Sequence, residues 1–263
     1  MANTDPTHRP LRQDELTARL QTSRAFETLD FTSAVTLDDL DLAECRFIDC
    51  LFDLPSVRSA DFSGAQFKDC RFSPGRFASC KFPGARLQGS NFFDADQKKG
   101  CTFAFCDLRD VEAEKCNFAV NTFERCDMHD FRARECSFRG ARFHASTFTK
   151  AISKRVIVTR ARFEACNFTF TDFSGVSLES CEFQTCKFLD TALFDVNLTD
   201  AILRDCTLDK AEWERANLTR VDFRGSTISG LNLAVLSGYT GLMIDESQQT
   251  ELLERLGVSV SPD

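Results

Sequence analysis

Thirteen cysteines are the first residues in this chain whose type could do chemistry, since thiolates bind zinc, carry redox couples and act as nucleophiles. They stand at 45, 50, 70, 80, 101, 106, 116, 126, 136, 166, 181, 186 and 206. Zinc and redox sites call for Cys-x2-Cys pairs or clusters containing histidine, and neither spacing occurs. The only histidines are His8, His129 and His144, and no phosphate-binding loop or nucleophile motif accompanies them. The expectation is a protein with no catalytic residues, no metal and no cofactor, and therefore not an enzyme.

The elements that position the cysteines follow an unusual period. A large apolar residue, here called the centre, returns at every fifth position: Leu37, Leu42, Phe47, Phe52, Val57, Phe62, Phe67, Phe72, Phe77, Phe82, Leu87 and Phe92 form a run of twelve. A run of ten goes from Phe103 to Phe148, and a run of fifteen from Phe163 to Leu233. A period of 2 marks a strand and 3.6 a helix, so a period of five marks neither. It fits a solenoid in which each repeat makes one short side of a coil. Only the centre and the residue two before it, the small partner, then point inward. Of 27 Phe, 20 lie at centres, and every cysteine lies at a small-partner position. Cysteine alternates there with Ala, Ser, Thr, Val and Gly, which reads as a small buried filler. Thirteen free thiols fit a reducing compartment, so a cytoplasmic location is expected. Two inversions, Val111-Glu112-Ala113 and Phe131-Arg132-Ala133, move bulk from the centre to the small partner and predict local repacking.

The repeat, as in Ala60-Asp61-Phe62-Ser63-Gly64, resembles that of the pentapeptide repeat proteins over about three quarters of the chain. The resemblance implies an all-β fold: a right-handed quadrilateral β-helix, here with two loop excursions and a short C-terminal α-helix. At about four repeats per coil and about 4.8 Å between coils, the rod would have roughly nine coils and be around 45 Å long.

Taken in order, residues 1–34 do not keep the period and are expected to be an N-terminal extension, partly disordered or capping the rod, with a short helix between Leu11 and Arg24. The β-helix is expected over 35–235. A charged, Gly-ended segment near 93–100 breaks its phase by one residue, and a basic segment at 149–162 keeps phase but loses the pattern. Both read as loops. The tail, 236–263, is expected to form a helix over 246–256, capped by Asp245 with Gln248 and stopped at Gly257. Its apolar residues either cap the rod or make a two-fold interface. No apolar run is long enough for a membrane span, so no membrane partner is expected.

The segment Gln97-Lys98-Lys99-Gly100-Cys101-Thr102-Phe103 and the ending Leu252-Leu253-Glu254-Arg255-Leu256-Gly257-Val258 resemble the Qnr branch of that family. That resemblance implies binding to DNA gyrase and topoisomerase IV, protection from quinolones by DNA mimicry, and a homodimer through the C-terminal helix. Carried onto this chain, the target-binding loops would be Asp94, Asp96, Gln97, Lys98 and Lys99, and Lys150, Ile152, Lys154, Arg155, Val156 and Ile157. The dimer interface would be Met243, Leu252, Leu253, Leu256, Val258 and Val260.

Charge bears on mimicry. Residues 35–162 carry 18 acidic against 21 basic side chains, while 163–263 carry 17 against 7. The acidic mimic surface would be Asp190, Asp195, Asp200, Asp205, Asp209, Glu212 and Asp222. An acidic chain is a poor partner for nucleic acid itself. The alternative to a topoisomerase-protecting mimic is a non-catalytic scaffold or effector with another protein partner, reached through apolar residues such as Phe105, Phe170 and Phe194.

Overall fold

The computed structural model describes residues 7–32, 34–153 and 156–260, with 151–159 described by backbone alone. The chain winds as a parallel β-solenoid with four sides. The first side is a nine-stranded parallel sheet from Ala25–Glu27 to Ile202–Arg204. Its register stacks Phe47 on Phe67, Phe67 on Leu87, and Phe163 on Phe183 and Leu203. The second side begins with Arg9–Pro10, Leu29–Phe31, Leu51–Phe52 and Arg71–Phe72 and continues as single bridges, and the third runs through Thr102–Ala104, Thr122–Glu124 and Arg142–His144. Bridges alone, such as Asp41 to Asp61 to Lys81, make the fourth.

The five-residue repeat produces this shape because the centre and small partner point into the rod while the corner between sides turns through a left-handed residue two past most centres. Ser59, Asp69, Asp190 and Asp200 take φ of 51–58° at such corners. The conformation costs about 1–2 kcal/mol for most residues, less for Asp, whose short polar side chain bonds locally. Each buried Phe returns on the order of 1.5–3 kcal/mol. The rings stack along the rod, with Phe52 4.5 Å from Phe72 and Phe72 4.2 Å from Phe92, and meet edge-on across it.

The coil starts earlier than the period suggested. Phe26 and Phe31 are fully buried and stack on Phe47 and Phe52 at 5.1 and 4.6 Å. Six residues separate Phe31 from Leu37, and that slip hides the first coil from a five-residue count. Ahead of it, α1 (Gln13–Thr22) buries Leu16 in the same core as Leu11. The expectation for residues 1–6 lies outside the described residues.

The coil also ends later than 235, because Leu218 and Phe223 still donate to the carbonyls of Gly238 and Met243 without any five-residue side-chain pattern. Then α2 (Glu246–Arg255) closes the rod with side chains that stand in for another coil. Gln248 Nε2 donates to the carbonyl oxygens of Phe223 (2.9 Å) and Ser226 (2.5 Å), Glu251 accepts from Gly230 N at 3.2 Å, and Asp245 accepts from Gly225 N. A capped end cannot template another chain.

Candidate partner-binding surfaces

Two hairpins leave the rod at the places expected for loops. The first pairs Phe93–Asp94 with Lys99–Gly100 at the edge between the second and third sides. Asp94 builds its tip: Oδ1 accepts from the amides of Asp96 and Gln97 at 2.9 Å, and Oδ2 accepts from Gln97 Nε2 at 2.9 Å. Asp96, Gln97, Lys98 and Lys99 are left exposed. Gly100 fits because its backbone runs against the next coil, where a Cβ would lie 2.7 Å from the carbonyl oxygen of Ala119.

The second hairpin pairs Thr149–Ser153 with Val156–Arg160 at the edge between the fourth and first sides. Lys150 is exposed there. Ile152, Val156 and Ile157 are on its strands, and Lys154 and Arg155 lie outside the described residues. The two hairpins therefore spring from diagonally opposite edges.

The proposed acidic surface is less charged than the sequence implies. Asp195 and Asp200 are gripped two-pronged by Arg215 and Arg220, and these guanidiniums hold both carboxyls below the usual range. Asp222 is not a surface residue at all. It is 3% exposed and held by Arg224 and Arg204, which push its carboxyl far down. Its backbone bridges to Met243 of the last turn. Asp205 accepts from Gln184 Nε2 at 2.6 Å, Glu212 is exposed, and Asp190 and Asp209 are half-buried.

At the C-terminal end the apolar residues divide. Leu252 is buried against the rod and Leu253 is half-buried, whereas Met243, Leu256, Val258 and Val260 are exposed, as are Val235 and Tyr239. α2 thus has one face committed to capping the rod, and several apolar side chains at this end stay open.

One concavity was missed by sequence reasoning. Where Ala113 and Ala133 replace large centres, Val111 and Phe131 fill the core from the small-partner position, and the first side carries a groove of about 570 Å³. The two inversions were its signal. Arg86 and Arg132 pair with Glu112 across it at 3.3 and 3.2 Å, and Arg162 with Glu182 at 3.1 Å, so most of its charges are paired within it.

The thiols all lie in the interior. Burial pushes Cys101 and Cys181 up to about 12, which keeps them protonated and inert. His129 Nδ1 donates to Asp127 Oδ1 at 2.6 Å. Among the described residues no group of three His, Cys, Asp or Glu could hold a metal, and no helix is long and apolar enough to cross a membrane.

Residues 156–233 match the family model described as pentapeptide repeat region. Among curated protein sequences, none matches. Of solved structures, a trypsin-treated variant of QnrB1, a plasmid-mediated fluoroquinolone resistance protein, superposes with a TM-score of 0.71 at 22% identity, covering 82% of this chain and 100% of that one. Full-length QnrB1 gives 0.61 at 21% identity, covering 89% and 100%. HetL from the cyanobacterium Nostoc sp. strain PCC 7120, a pentapeptide repeat protein involved in heterocyst differentiation regulation, gives 0.58 at 12%, covering 89% and 94%. Residues 156–233 thus carry the pentapeptide repeat, and the rod as a whole has the fold of pentapeptide repeat proteins.

Proposed function

We propose that this protein is a non-catalytic binding rod that engages a type II topoisomerase, DNA gyrase or topoisomerase IV, and protects it from quinolones or a similar poison. The observation that carries the reading is the shared rod: the fold matches QnrB1 over all of that protein's length. The Qnr-like segment 97–103 supports it, since it includes part of an exposed hairpin. Fold alone does not fix function. HetL has the same fold under a different role, which favours an interaction scaffold as the second reading.

In this reading the protein works in the cytoplasm as a homodimer joined at its C-terminal patch. Leu256→Asp should convert a dimer to a monomer by light scattering while the far-UV spectrum stays unchanged; a mass unaffected by the change removes the interface. Mimicry of DNA would rest on Asp190, Asp205, Asp209 and Glu212, because Asp195 and Asp200 are already neutralised by arginine. Binding to purified gyrase and topoisomerase IV, titrated against salt, tests the partner. Affinity that falls as salt rises supports electrostatic mimicry. Salt-independent binding moves the contact to apolar surface, and no binding to either enzyme favours the scaffold.

A further inference from the structure

Left-handed corners are filled mostly by Gly, Asp, Ser, Arg and Lys. Three corners break that habit. Among the described residues with positive φ, Phe105 (φ 55°), Val120 (φ 58°) and Phe170 (φ 61°) are the only large apolar side chains, and they are 51, 44 and 51% exposed. Each is disfavoured twice, because bulky and β-branched residues are outliers at positive φ and because their apolar surface stays in water. Neighbouring coils show what these corners otherwise hold: Gly140 and Asp190 in the column of Val120 and Phe170, and Ser59 and Ser79 in that of Phe105. Exposed bulk held in a strained conformation points to function.

The arginines beside them add a second observation. The Arg125 guanidinium carbon lies 5.6 Å from the Phe105 ring centroid, and that of Arg139 lies 5.0 Å from Phe170. Among the described residues neither makes an ion pair, whereas Arg204, Arg215, Arg220 and Arg224 are each taken up by an aspartate. Val120 and Phe170 also share the edge from which the first hairpin rises. Gly140 between them leaves a notch, since a Cβ there would meet only Val120 Cγ2, at 3.7 Å. Phe105 follows the third-side strand Thr102–Ala104 and so bounds the opposite edge of that side.

We propose that Phe105, Val120 and Phe170, with Arg125 and Arg139, form a protein-docking surface beside the first hairpin, fitted to a partner whose contact face offers apolar pockets rimmed by carboxylates. Aromatic and arginine side chains are the usual anchors of interfaces, and two unspent guanidiniums call for acid opposite them. This inference rests on the proposed function, in which the partner is the topoisomerase.

The test is the affinity of purified DNA gyrase holoenzyme for the protein and for Phe105→Ser, Val120→Gly, Phe170→Asp and the triple variant, each residue being one that a neighbouring coil already uses. A single change should weaken binding about tenfold and the triple about 100-fold or more. The melting temperature should hold or rise by a few degrees, because strain at the corners is relieved. Triple-variant affinity equal to the parent's overturns the docking surface and leaves the proposed function standing. A melting temperature lowered in all the variants also overturns it, since the corners would then serve the fold. Failure of the parent itself to bind gyrase brings down the proposed function and this inference together.

Discussion

The third side of the rod, before and after residue 165, makes its turns in two ways, and the difference explains the cysteines. From Ser56–Arg58 to Arg142–His144 the side is an extended strand, and the amide of the next small partner finds no carbonyl within its own turn. It points to the small partner one coil on: the Cys126 amide donates to Ser146 Oγ at 3.1 Å. From Asp172 the turn is compact. Val176 donates to Phe173 O at 3.0 Å and Ala216 to Trp213 O at 2.9 Å, and small partners with no acceptor atom are tolerated. The first side is extended nearly throughout, and its column accordingly reads Cys50, Cys70, Ser90, Cys116, Cys136, Cys166, Cys186, Cys206 and Ser226. Cys116 donates to Cys136 Sγ, and Cys186 to Cys206 Sγ, at 3.4 Å. All of these sulfurs and hydroxyls except that of Cys116 also donate to a carbonyl of the coil before, as Ser90 Oγ does to Phe67 O at 3.4 Å. Where the backbone leaves a buried donor, the side chain must accept.

Charge divides along the same length. In the C-terminal half Arg215 and Arg220 are spent on aspartates one coil away, whereas around the middle two arginines, Arg125 and Arg139, lie over exposed rings. The acidic half is thus closer to neutral where its carboxylates are gripped, and the middle keeps free cations. A partner reading the rod would meet apolar and basic surface before acidic surface.

The largest effect that would sharpen this contrast is at Asp222. Asp222→Asn should cost about 1.5–3 kcal/mol, since its bonds are to charged groups in a buried place. Arg224 and Arg204 hold the folded carboxyl below the ordinary range, so its contribution is full above about pH 4 and is lost as pH falls further. Acid titration of stability should therefore be steeper below pH 4 for the parent than for the variant, and parallel curves would deny the pairing. Next, Cys136→Ala should cost about 1–3 kcal/mol by leaving the Cys116 amide unsatisfied, while Cys136→Ser should be nearly neutral because Ser90 already plays that part. Cys45, whose own amide bonds to Leu42 O at 3.2 Å, follows a compact turn. Cys45→Ala should cost about 1 kcal/mol or less. Equal losses at Cys45 and Cys136 in urea unfolding would break the turn-type account. The smallest effect is at Asp200→Asn, an exposed pair worth about 0.2–1 kcal/mol at low salt and less at high salt.

Much of the fold was legible because one side-chain period fixes it: the centres, the small partners, the places of both loops and the terminal helix are readable from spacing and capping residues. Phe26 and Phe31 escaped because a single inserted residue resets a strict period, and Gly238 and Met243 because bridges need backbone only. Cysteine position was visible, but its acceptor role was not, since turn type does not show in a repeat that keeps its length. The candidate surfaces were harder. Spacing places Asp195, Asp200 and Asp222 near the surface, yet the arginines that neutralise them lie 20 residues on for Asp195 and Asp200, and on either side of Asp222. Phe105 and Phe170 were noticed as exposed, but their strained φ was not readable.

Supercoiling by purified bacterial gyrase with and without ciprofloxacin, across a titration of this protein, tests the central claim most directly. The account predicts that supercoiling in the presence of the drug is restored at low protein, with inhibition only at high protein. Inhibition at all concentrations, or no effect at any, would contradict protection.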